Sequence, residues 1–258
     1  MPPSPKRYTG EVSGPSSDAP RFSLIIPAFN EAELLPRLLD SVDVARASYN
    51  GAVEVIVADN ASSDATAAIA RDRGCRVVAV ERRAIASARN GGAAAARGEI
   101  LAFTDADGRI HPRTFAVIDR AMASGRFVAG ATGGRFERWS AGLVATFALF
   151  APLAIATGFD TGVVFCRRDD FTAIGGYDES RLFAEDVAFL LALRRYGKAT
   201  GRRLARPAGA RTTISTRKFD RWGDWHFFTR MPAVGWRLLQ DPRAATEFAR
   251  DYWYRPER

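Results

Sequence analysis

Cysteine and histidine are almost absent from this chain of 258 residues, which contains two of each. Cys75 and Cys166 are too few for a disulfide framework or for a zinc site built on cysteine, so a reducing compartment is expected. His111 and His226 alone cannot form a histidine-rich metal site. These scarcities exclude the small disulfide-stabilised scaffolds and the cysteine- or histidine-based metal proteins.

Two glycine-rich nucleotide-binding motifs are also missing. No GxGxxG follows the first predicted strand, which argues against a nicotinamide- or flavin-binding Rossmann domain. The absence of GxxxxGK[ST] argues against a P-loop enzyme. Residues 1–20 lack the apolar run of a signal peptide and are rich in Pro, Ser and Gly, so they are predicted to form a disordered leader.

Negative charge is scarce in the last part of the chain. The net charge is +8, and from Arg202 to the end there are 13 Lys and Arg against 6 Asp and Glu. Such a bias suggests an anionic partner, which could be phosphate, a membrane surface or nucleic acid. A basic face that is merely solvated is the alternative interpretation.

The first half of the chain alternates between apolar strands and helices. Strands are predicted at residues 22–26, 53–58, 75–80 and 100–103, with helices after Asn30, between residues 64 and 73, and at 84–97. Asn30 is predicted to cap the first helix, with Glu33 completing a capping box. Gly74 is predicted to stop the second. The pattern predicts an α/β fold with a mostly parallel sheet covered on both faces.

Polar residues follow three of these strands, where a parallel sheet places its ligand crevice. They are residues 28–31 after the first strand, 59–64 after the second and 104–107 after the fourth. Asp105 and Asp107, if extended, face the same side and suit a hard divalent cation, although an acidic turn is the simpler alternative. Asp59 could accept hydrogen bonds from a base or ribose, and Arg89 could neutralise a diphosphate.

Several of these segments together resemble the successive motifs of the family 2 glycosyltransferases, which have the GT-A fold. The resemblance is carried, over roughly residues 21–200, by Leu24-Ile-Ile-Pro-Ala-Phe-Asn-Glu31, Val57-Ala-Asp-Asn-Ala-Ser-Ser-Asp64, Ala88-Arg-Asn-Gly91, Phe103-Thr-Asp-Ala-Asp107, Ile174-Gly-Gly-Tyr-Asp-Glu179 and Glu185-Asp186. One motif alone would be weak, but their common order is specific. This chain has Asn60-Ala61 where the family often has Asp-Gly, which leaves recognition of the base open.

The resemblance implies an inverting transferase that uses a nucleotide sugar and a divalent metal, Mn²⁺ or Mg²⁺. Asp105 and Asp107 would hold the metal, and Asp186 would be the base that deprotonates the acceptor hydroxyl. Glu185 would lie on the acceptor side, although an acidic pair at a helix start is also favoured by the helix dipole. The predicted donor-binding residues are Pro27, Ala28, Asn30, Glu31, Asp59, Arg89, Asp105 and Ala106.

The basic C-terminal region supplies further candidates. Arg217 and Lys218 could clamp the donor diphosphate as a lid closes. His226 could be a third metal ligand, as a histidine is in some GT-A enzymes, although packing is the simpler role for a lone histidine. Asp160 could meet the acceptor or only shape a turn. Lys218-Phe-Asp-Arg-Trp222 departs from the QxxRW motif of processive synthases, so transfer is expected to be non-processive.

The uncharged run at residues 139–159 is long enough to span a membrane. A single span is rejected because it would separate Asp105 from Asp186, which act together. A buried helix beside the acceptor site is expected, and an interfacial segment that docks on lipid is the alternative.

The predicted organisation is a leader at 1–20, a catalytic domain at 21–205 and a basic extension or lid at 206–258. The domain divides into a nucleotide-sugar half, 21–108, and an acceptor half, 109–205. Expected partners are a UDP- or GDP-sugar and a hydroxyl acceptor that is a glycan, a lipid-linked sugar or a small molecule. Peripheral membrane contact and a homodimer fit this picture, with the protein in the cytoplasm or at the inner face of the membrane. The alternatives are a basic nucleic-acid-binding protein, which no recognition motif supports, and a nucleotide-sugar binder without activity.

Overall fold

The structure, a computed structural model, describes residues 19–157, 160–181 and 185–229. Most of the predicted leader and the last part of the predicted extension therefore lie outside the described residues. The strands are β1 (Phe22–Ala28), β2 (Val53–Asp59), β3 (Arg76–Ala79), β4 (Ile100–Phe103), β5 (Phe127–Ala131), β6 (Gly134–Phe136), β7 (Val164–Arg167), β8 (Arg203–Ala205) and β9 (Thr212–Ile214). The helices are α1 (Leu35–Ala47), α2 (Thr66–Asp72), α3 (Ile85–Ala94), α4 (Thr114–Ala123), α5 (Ala141–Thr157), α6 (Arg168–Ala173), α7 (Glu185–Ala199), α8 (Arg217–Trp222) and α9 (His226–Thr229).

Seven strands form one sheet in the order β3-β2-β1-β4-β7-β5-β8. The first four run parallel to one another, β7 is antiparallel to both β4 and β5, and β8 pairs parallel with β5. Strands β6 and β9 form a separate two-stranded sheet. The prediction of a mostly parallel sheet in an α/β fold is confirmed.

Strand β1 lies inside the sheet, between β2 and β4, and is buried along its whole length. Successive side chains of a strand point to opposite faces, so Leu24 and Ile26 pack with Leu38 of α1 and Phe115 of α4. Ile25 belongs to the core on the other face, which includes Phe189 of α7. Burial on both faces explains why the strand is a continuous apolar run rather than an alternating one.

The start of α1 differs from the prediction. The helix begins at Leu35, and its N-cap Leu34 makes no side-chain capping hydrogen bond. The predicted cap at Asn30, with Glu33 in a capping box, is therefore wrong. Asn30 instead adopts a left-handed backbone with φ of 52° and bonds to the neighbouring loop. The predicted stop of α2 is confirmed, since Gly74 follows that helix with φ of 69°.

The uncharged run folds into α5, and the expectation that this helix is buried holds for Leu143 and Thr146, which are 0% and 3% exposed, but is wrong for three large apolar side chains. Val144, Phe147 and Leu149 are 52%, 46% and 54% exposed. The start of the helix lies against the C-terminal region, since a Cβ at Gly142 would come within 2.6 Å of the Asp224 carbonyl oxygen. No helix among the described residues is both long and apolar enough to cross a membrane.

Candidate active site at the carboxyl ends of the strands

The loops that follow β1 and β2 join to form one wall of a crevice. The backbone NH of Asn30 donates to Ser62 Oγ at 3.0 Å, and Asn30 Oδ1 accepts from the backbone NH of Ser63 at 2.8 Å. The NH of Glu31 donates to Thr66 Oγ1 at 2.8 Å. Pro27 and Ala28 are buried at the end of β1 directly beneath these contacts. The wall thus stands at the strand ends, where the sequence predicted it.

Asp59 ends β2, and its carboxylate stays partly exposed towards this wall. Its Oδ1 accepts from the NH of Ser62 at 3.3 Å, which fixes the loop behind it. Asn60 is 2% exposed and donates to the carbonyls of Val80 and Arg82. Ala61 has φ of 62°, a conformation that favours glycine. Of the two positions that depart from the family pattern, Asn60 therefore holds the loop at Val80 and Arg82 through hydrogen bonds, and Ala61 has a left-handed backbone conformation.

Asp105 and Asp107 occupy the end of β4, but not in the extended geometry that the sequence predicted. The strand ends at Phe103, and Ala106 and Asp107 form a turn, with Ala106 buried. Asp107 is 21% exposed and Asp105 63% exposed. Burial, followed by the charge of Asp105, raises the pKa of Asp107. A turn, and not the end of the strand, therefore brings the two carboxylates together, and at this distance they repel each other.

Helix α8 places two cations against these carboxylates. Arg217 donates to both carboxylate oxygens of Glu31, at 3.0 and 2.7 Å, and lies 3.7 Å from Asp107 Oδ2. Burial raises the pKa of Glu31, an effect that Arg217 opposes. Burial lowers the pKa of Lys218 to about 8, although Asp105 and Asp107 act in the other direction. The structure thus brings Glu31, Arg217 and Lys218 to the Asp105–Asp107 turn.

A second acidic pair opens α7, as the sequence predicted. Glu185 is 8% exposed and Asp186 is 41% exposed, so only Asp186 is accessible from the crevice. Burial, with the neighbouring charges of Glu185 and Asp105, raises the pKa of Asp186 to about 6 against the opposing effect of Arg89. A carboxylate with this pKa is mostly ionised at neutral pH and basic enough to accept a proton.

Arg89 of α3 connects the two acidic sites. Its Nη1 donates to Glu185 Oε1 at 3.0 Å and to Asp186 Oδ1 at 2.6 Å, and its Nη2 donates to Asp105 Oδ1 at 3.0 Å. The side chain is 4% exposed. Burial lowers the pKa of Arg89, but these carboxylates outweigh that effect and hold it well above its ordinary value. The predicted contact of Arg89 with a diphosphate stays a prediction.

The loop before α7 contains site residues that the sequence analysis did not assign. Asn90 accepts from the NH of Tyr177 at 2.9 Å and donates to its carbonyl and to Glu179 Oε1, both at 2.9 Å. Ser87 donates to Glu179 Oε2 at 2.8 Å. The motifs Ala88-Arg-Asn-Gly91 and Ile174-Gly-Gly-Tyr-Asp-Glu179 were visible in the sequence, but only the fold shows that they bind each other.

Two of the predicted site residues lie in other surroundings. Asp160 Oδ2 accepts from Arg206 Nη2 at 2.7 Å, and its Oδ1 accepts from the NH of Thr161, so it is held as part of an ion pair and a turn. His226 is 1% exposed, with its ring 4.8 Å from that of Phe219 and its Nδ1 2.8 Å from the carbonyl oxygen of Gly223. These contacts match the packing role that was its alternative.

The carboxylates at the end of β4 suit a hard divalent cation. Asp105 and Asp107 offer the oxygen ligands that Mn²⁺ and Mg²⁺ take, and a bound cation would relieve the repulsion between the two carboxylates. Within the described part of the chain, no three His, Cys, Asp or Glu side chains form a metal-binding group, so His226 does not join the two aspartates in one. The remaining ligands would then be phosphate oxygens and water.

Solved structures with the same architecture show the class of fold. The mannosyltransferase PcManGT from Pyrobaculum calidifontis, in complex with GDP-Man and Mn²⁺, superposes with a TM-score of 0.58 at 24% identity, over 74% of this chain and 55% of that one. TarS residues 1–349 from S. aureus, in complex with UDP-GlcNAc, superposes with a TM-score of 0.58 at 18% identity, over 76% and 58% of the two chains. The fold is therefore that of the GT-A glycosyltransferases.

The family model described as Glycosyl transferase family 2 matches residues 23–157, just over half of the chain. The chain belongs to this family. The succinoglycan biosynthesis protein ExoO of Rhizobium meliloti is 36% identical over 115 residues, which are 43% of this chain and 32% of ExoO. The curated relatives that the chain matches are covered over only 24% to 47% of their own length.

Proposed function

We propose that the protein transfers a sugar from a nucleoside-diphosphate sugar to a hydroxyl group of an acceptor, with inversion at the sugar carbon. The observation that carries this proposal is the placement of two acidic sites around one crevice. Asp105 and Asp107 lie beside the cations Arg217 and Lys218, and the separate base candidate Asp186 lies on α7. The complexes of PcManGT with GDP-Man and of TarS with UDP-GlcNAc support a GDP- or UDP-sugar donor.

Each group has one task in the proposed reaction. Asp59 accepts a hydrogen bond from the base or ribose of the donor. Arg217 and Lys218 bind the phosphate oxygens, since both cations already face the carboxylates of that site. A divalent cation bound by Asp105 and Asp107 would stabilise the negative charge on the departing diphosphate.

Asp186 takes the proton from the acceptor hydroxyl as its oxygen attacks the sugar carbon. The new carbon–oxygen bond forms while the bond to phosphate breaks, and its electron pair leaves with the nucleoside diphosphate. The attack comes from the side opposite the leaving group, so the anomeric configuration inverts and no covalent enzyme intermediate forms. The raised pKa of Asp186 supports this role, because a stronger base accepts the proton more readily.

A thermal-shift screen of nucleotide sugars with Mn²⁺ would identify the donor, since a bound ligand stabilises the folded state. Transfer or slow hydrolysis of that donor is then measured, and NMR of the product gives its anomeric configuration. Asp105→Ala is expected to lower turnover by about 100-fold or more, as loss of charge stabilisation does in other sites. The matched control is Asp43→Ala, which removes an exposed carboxylate paired with Arg73 on the outer surface. Turnover that is independent of metal, or a retained anomeric configuration, would contradict the proposal.

We also propose that α5 rests on an anionic membrane surface. Trp139 and Phe147 lie edge to face at 6.0 Å and are 56% and 46% exposed, beside the exposed Val144. Trp225, 50% exposed, follows the Asp224 backbone on which α5 packs. Apolar and tryptophan side chains enter the lipid interface, while the positive charge of residues 202–258 is complementary to anionic headgroups.

Co-sedimentation with phosphatidylglycerol-containing vesicles tests this contact. Phe147→Ser is expected to weaken binding by about tenfold, whereas Val44→Ser on α1, which is 51% exposed elsewhere, leaves it unchanged. Equal binding of both variants, or no binding to vesicles, would reject the membrane surface as the partner.

A further inference from the structure

A single buried guanidinium holds the two acidic sites together. Arg89 donates 2.6 and 3.0 Å hydrogen bonds to Asp186 and Asp105, which are 41% and 63% exposed, while it is itself 4% exposed. The same Nη1 also donates to Glu185 at 3.0 Å. The accessible carboxylates therefore share a partner that solvent does not reach, and their separation depends on the planar fork of that partner.

The position of Arg89 is itself tightly determined. Helix α3 lies close against β1, because a Cβ at Gly92 would come within 2.5 Å of Ile25 Cγ2. The Arg89 guanidinium carbon lies 5.1 Å from the centre of the Tyr177 ring, which stacks on Phe189 of α7 at 3.9 Å. The guanidinium is thus packed between the sheet-bound helix and α7, and it has little freedom to move.

Asp186 depends on this contact for its orientation. Within the described residues, Arg89 is the only side chain that donates a hydrogen bond to it. The carboxylate stands in the first turn of α7, where the residue before it is the first of the helix. Without Arg89 its side chain would be free to choose between rotamers, and the distance to the Asp105 turn would no longer be fixed.

We propose that Arg89 is a positioning residue that sets the base Asp186 at a fixed distance from Asp105, and so from the leaving diphosphate. This inference rests on the proposed function. An in-line displacement needs the base and the leaving group on opposite sides of one sugar carbon, and misplacement by about 1 Å lowers the rate by about 100-fold. Arg89 meets this need because it binds both Asp186, the base, and Asp105, beside the leaving diphosphate, without contacting the donor.

Arg89→Lys is the sharpest test, because it keeps the positive charge and loses the fork that reaches two carboxylates. The variant is expected to lower kcat by about 100-fold while the affinity for the nucleotide sugar, measured by calorimetry, changes by less than about threefold. The matched control is Arg97→Lys. Arg97 is 69% exposed, pairs with Glu54 and lies after the C-terminal end of α3. The kcat of Arg97→Lys is therefore expected to stay within about twofold of that of the parent protein.

A double-variant cycle separates positioning from a structural role. If Arg89 acts through Asp186, adding Arg89→Lys to Asp186→Asn lowers the residual rate by less than about threefold. The melting temperatures of the parent, the two single variants and the double variant give a second test, which can be measured without a donor. The shifts of the single variants are expected not to add, and additive shifts would show that the two side chains are not coupled.

Two results in an active parent protein would overturn the inference. An unchanged kcat in Arg89→Lys would show that the fork is not needed for positioning. A loss of donor affinity of about tenfold or more, with kcat retained at saturating donor, would show that Arg89 binds the diphosphate directly, as the sequence suggested. If the parent turns over no nucleotide sugar, the proposed function fails, and the additivity of the melting temperatures still decides whether Arg89 holds Asp186.

Discussion

Arg217 and Glu31 form a two-pronged ion pair across 186 positions of the chain, with hydrogen bonds of 3.0 and 2.7 Å. Glu31 belongs to the loop after the first strand, and Arg217 begins α8 in the basic region. The pair therefore attaches the C-terminal segment to the crevice beside Asp107. In the proposed function a donor diphosphate would compete with Glu31 for the same guanidinium, and this contact would then couple donor binding to the position of α8.

Removal of Arg217 is expected to weaken donor binding. Charged hydrogen bonds contribute about 1.5 to 3 kcal/mol, so Arg217→Ala should raise the dissociation constant of a nucleoside diphosphate by about tenfold or more. The measurement is calorimetry in the presence of Mn²⁺. Arg221→Ala is the matched control, since this arginine lies on the same helix, is exposed and stacks on Trp222. Equal affinities in the two variants would exclude Arg217 from the donor site.

The pH dependence of transfer should report the ionisation of Asp186. Its pKa is raised to about 6, and only the ionised form accepts a proton from the acceptor. The rate is therefore expected to fall about tenfold per pH unit well below pH 6, to be near its maximum around pH 7, and to decline again as Lys218, whose pKa is about 8, loses its charge. The groups that surround it are Arg89, Glu185 and Asp105.

The measurement for this prediction is kcat/KM from pH 4.5 to 8 with saturating metal, alongside melting temperatures that confirm folding at each pH. Asp186→Asn serves as the control and should lose transfer by about 100-fold or more at every pH. A profile that stays flat through pH 6 would assign the base to another group.

The sequence was sufficient to predict the strands that form the crevice, and the structure explains why. β1 and β4 are short apolar runs buried on both faces, and their loops are polar because they meet the ligand crevice. Such local patterns do not depend on distant contacts. Asp105 and Asp186 are predicted as site residues from the family motifs, whereas residues 105–107, which the sequence predicts to be extended, contain a turn.

Contacts between residues that are far apart in the chain could not be predicted from the sequence pattern. The antiparallel placement of β7 between β4 and β5 is set by tertiary packing, and its four residues read as any apolar strand. The sequence predicts that Arg89 neutralises a diphosphate, and nothing local shows that Glu185 and Asp186, 96 and 97 positions away, accept its hydrogen bonds. Partner choice among charges is therefore the least predictable part of this site.

The ion pair between Arg202 and Asp170, which lies outside the crevice, should contribute more to stability than an exposed ion pair does. Arg202 donates to both oxygens of Asp170 at 2.7 Å, and the Asp170 side chain is 6% exposed. Arg202→Met would leave that carboxylate buried without its cation, which is expected to cost about 3 kcal/mol of unfolding free energy in urea titrations. The exposed pair of Arg73 with Asp43 provides the comparison, and Arg73→Met should cost less than about 1 kcal/mol. Similar losses in both variants would show that burial does not matter here.

Substitution of Ala61, in the loop after β2, by glycine is expected to stabilise the folded protein. Its φ of 62° places the Cβ where a non-glycine residue is strained by about 1 to 2 kcal/mol, and glycine removes that strain at the expense of greater freedom in the unfolded chain. Ala61→Gly is therefore expected to raise the free energy of unfolding by about 0.5 to 1 kcal/mol, measured in urea. Ala68→Gly, at an exposed position inside α2, should instead lower it by about 0.5 to 1 kcal/mol. If both substitutions lower stability, the backbone at Ala61 is not strained, and the alanine there needs another explanation.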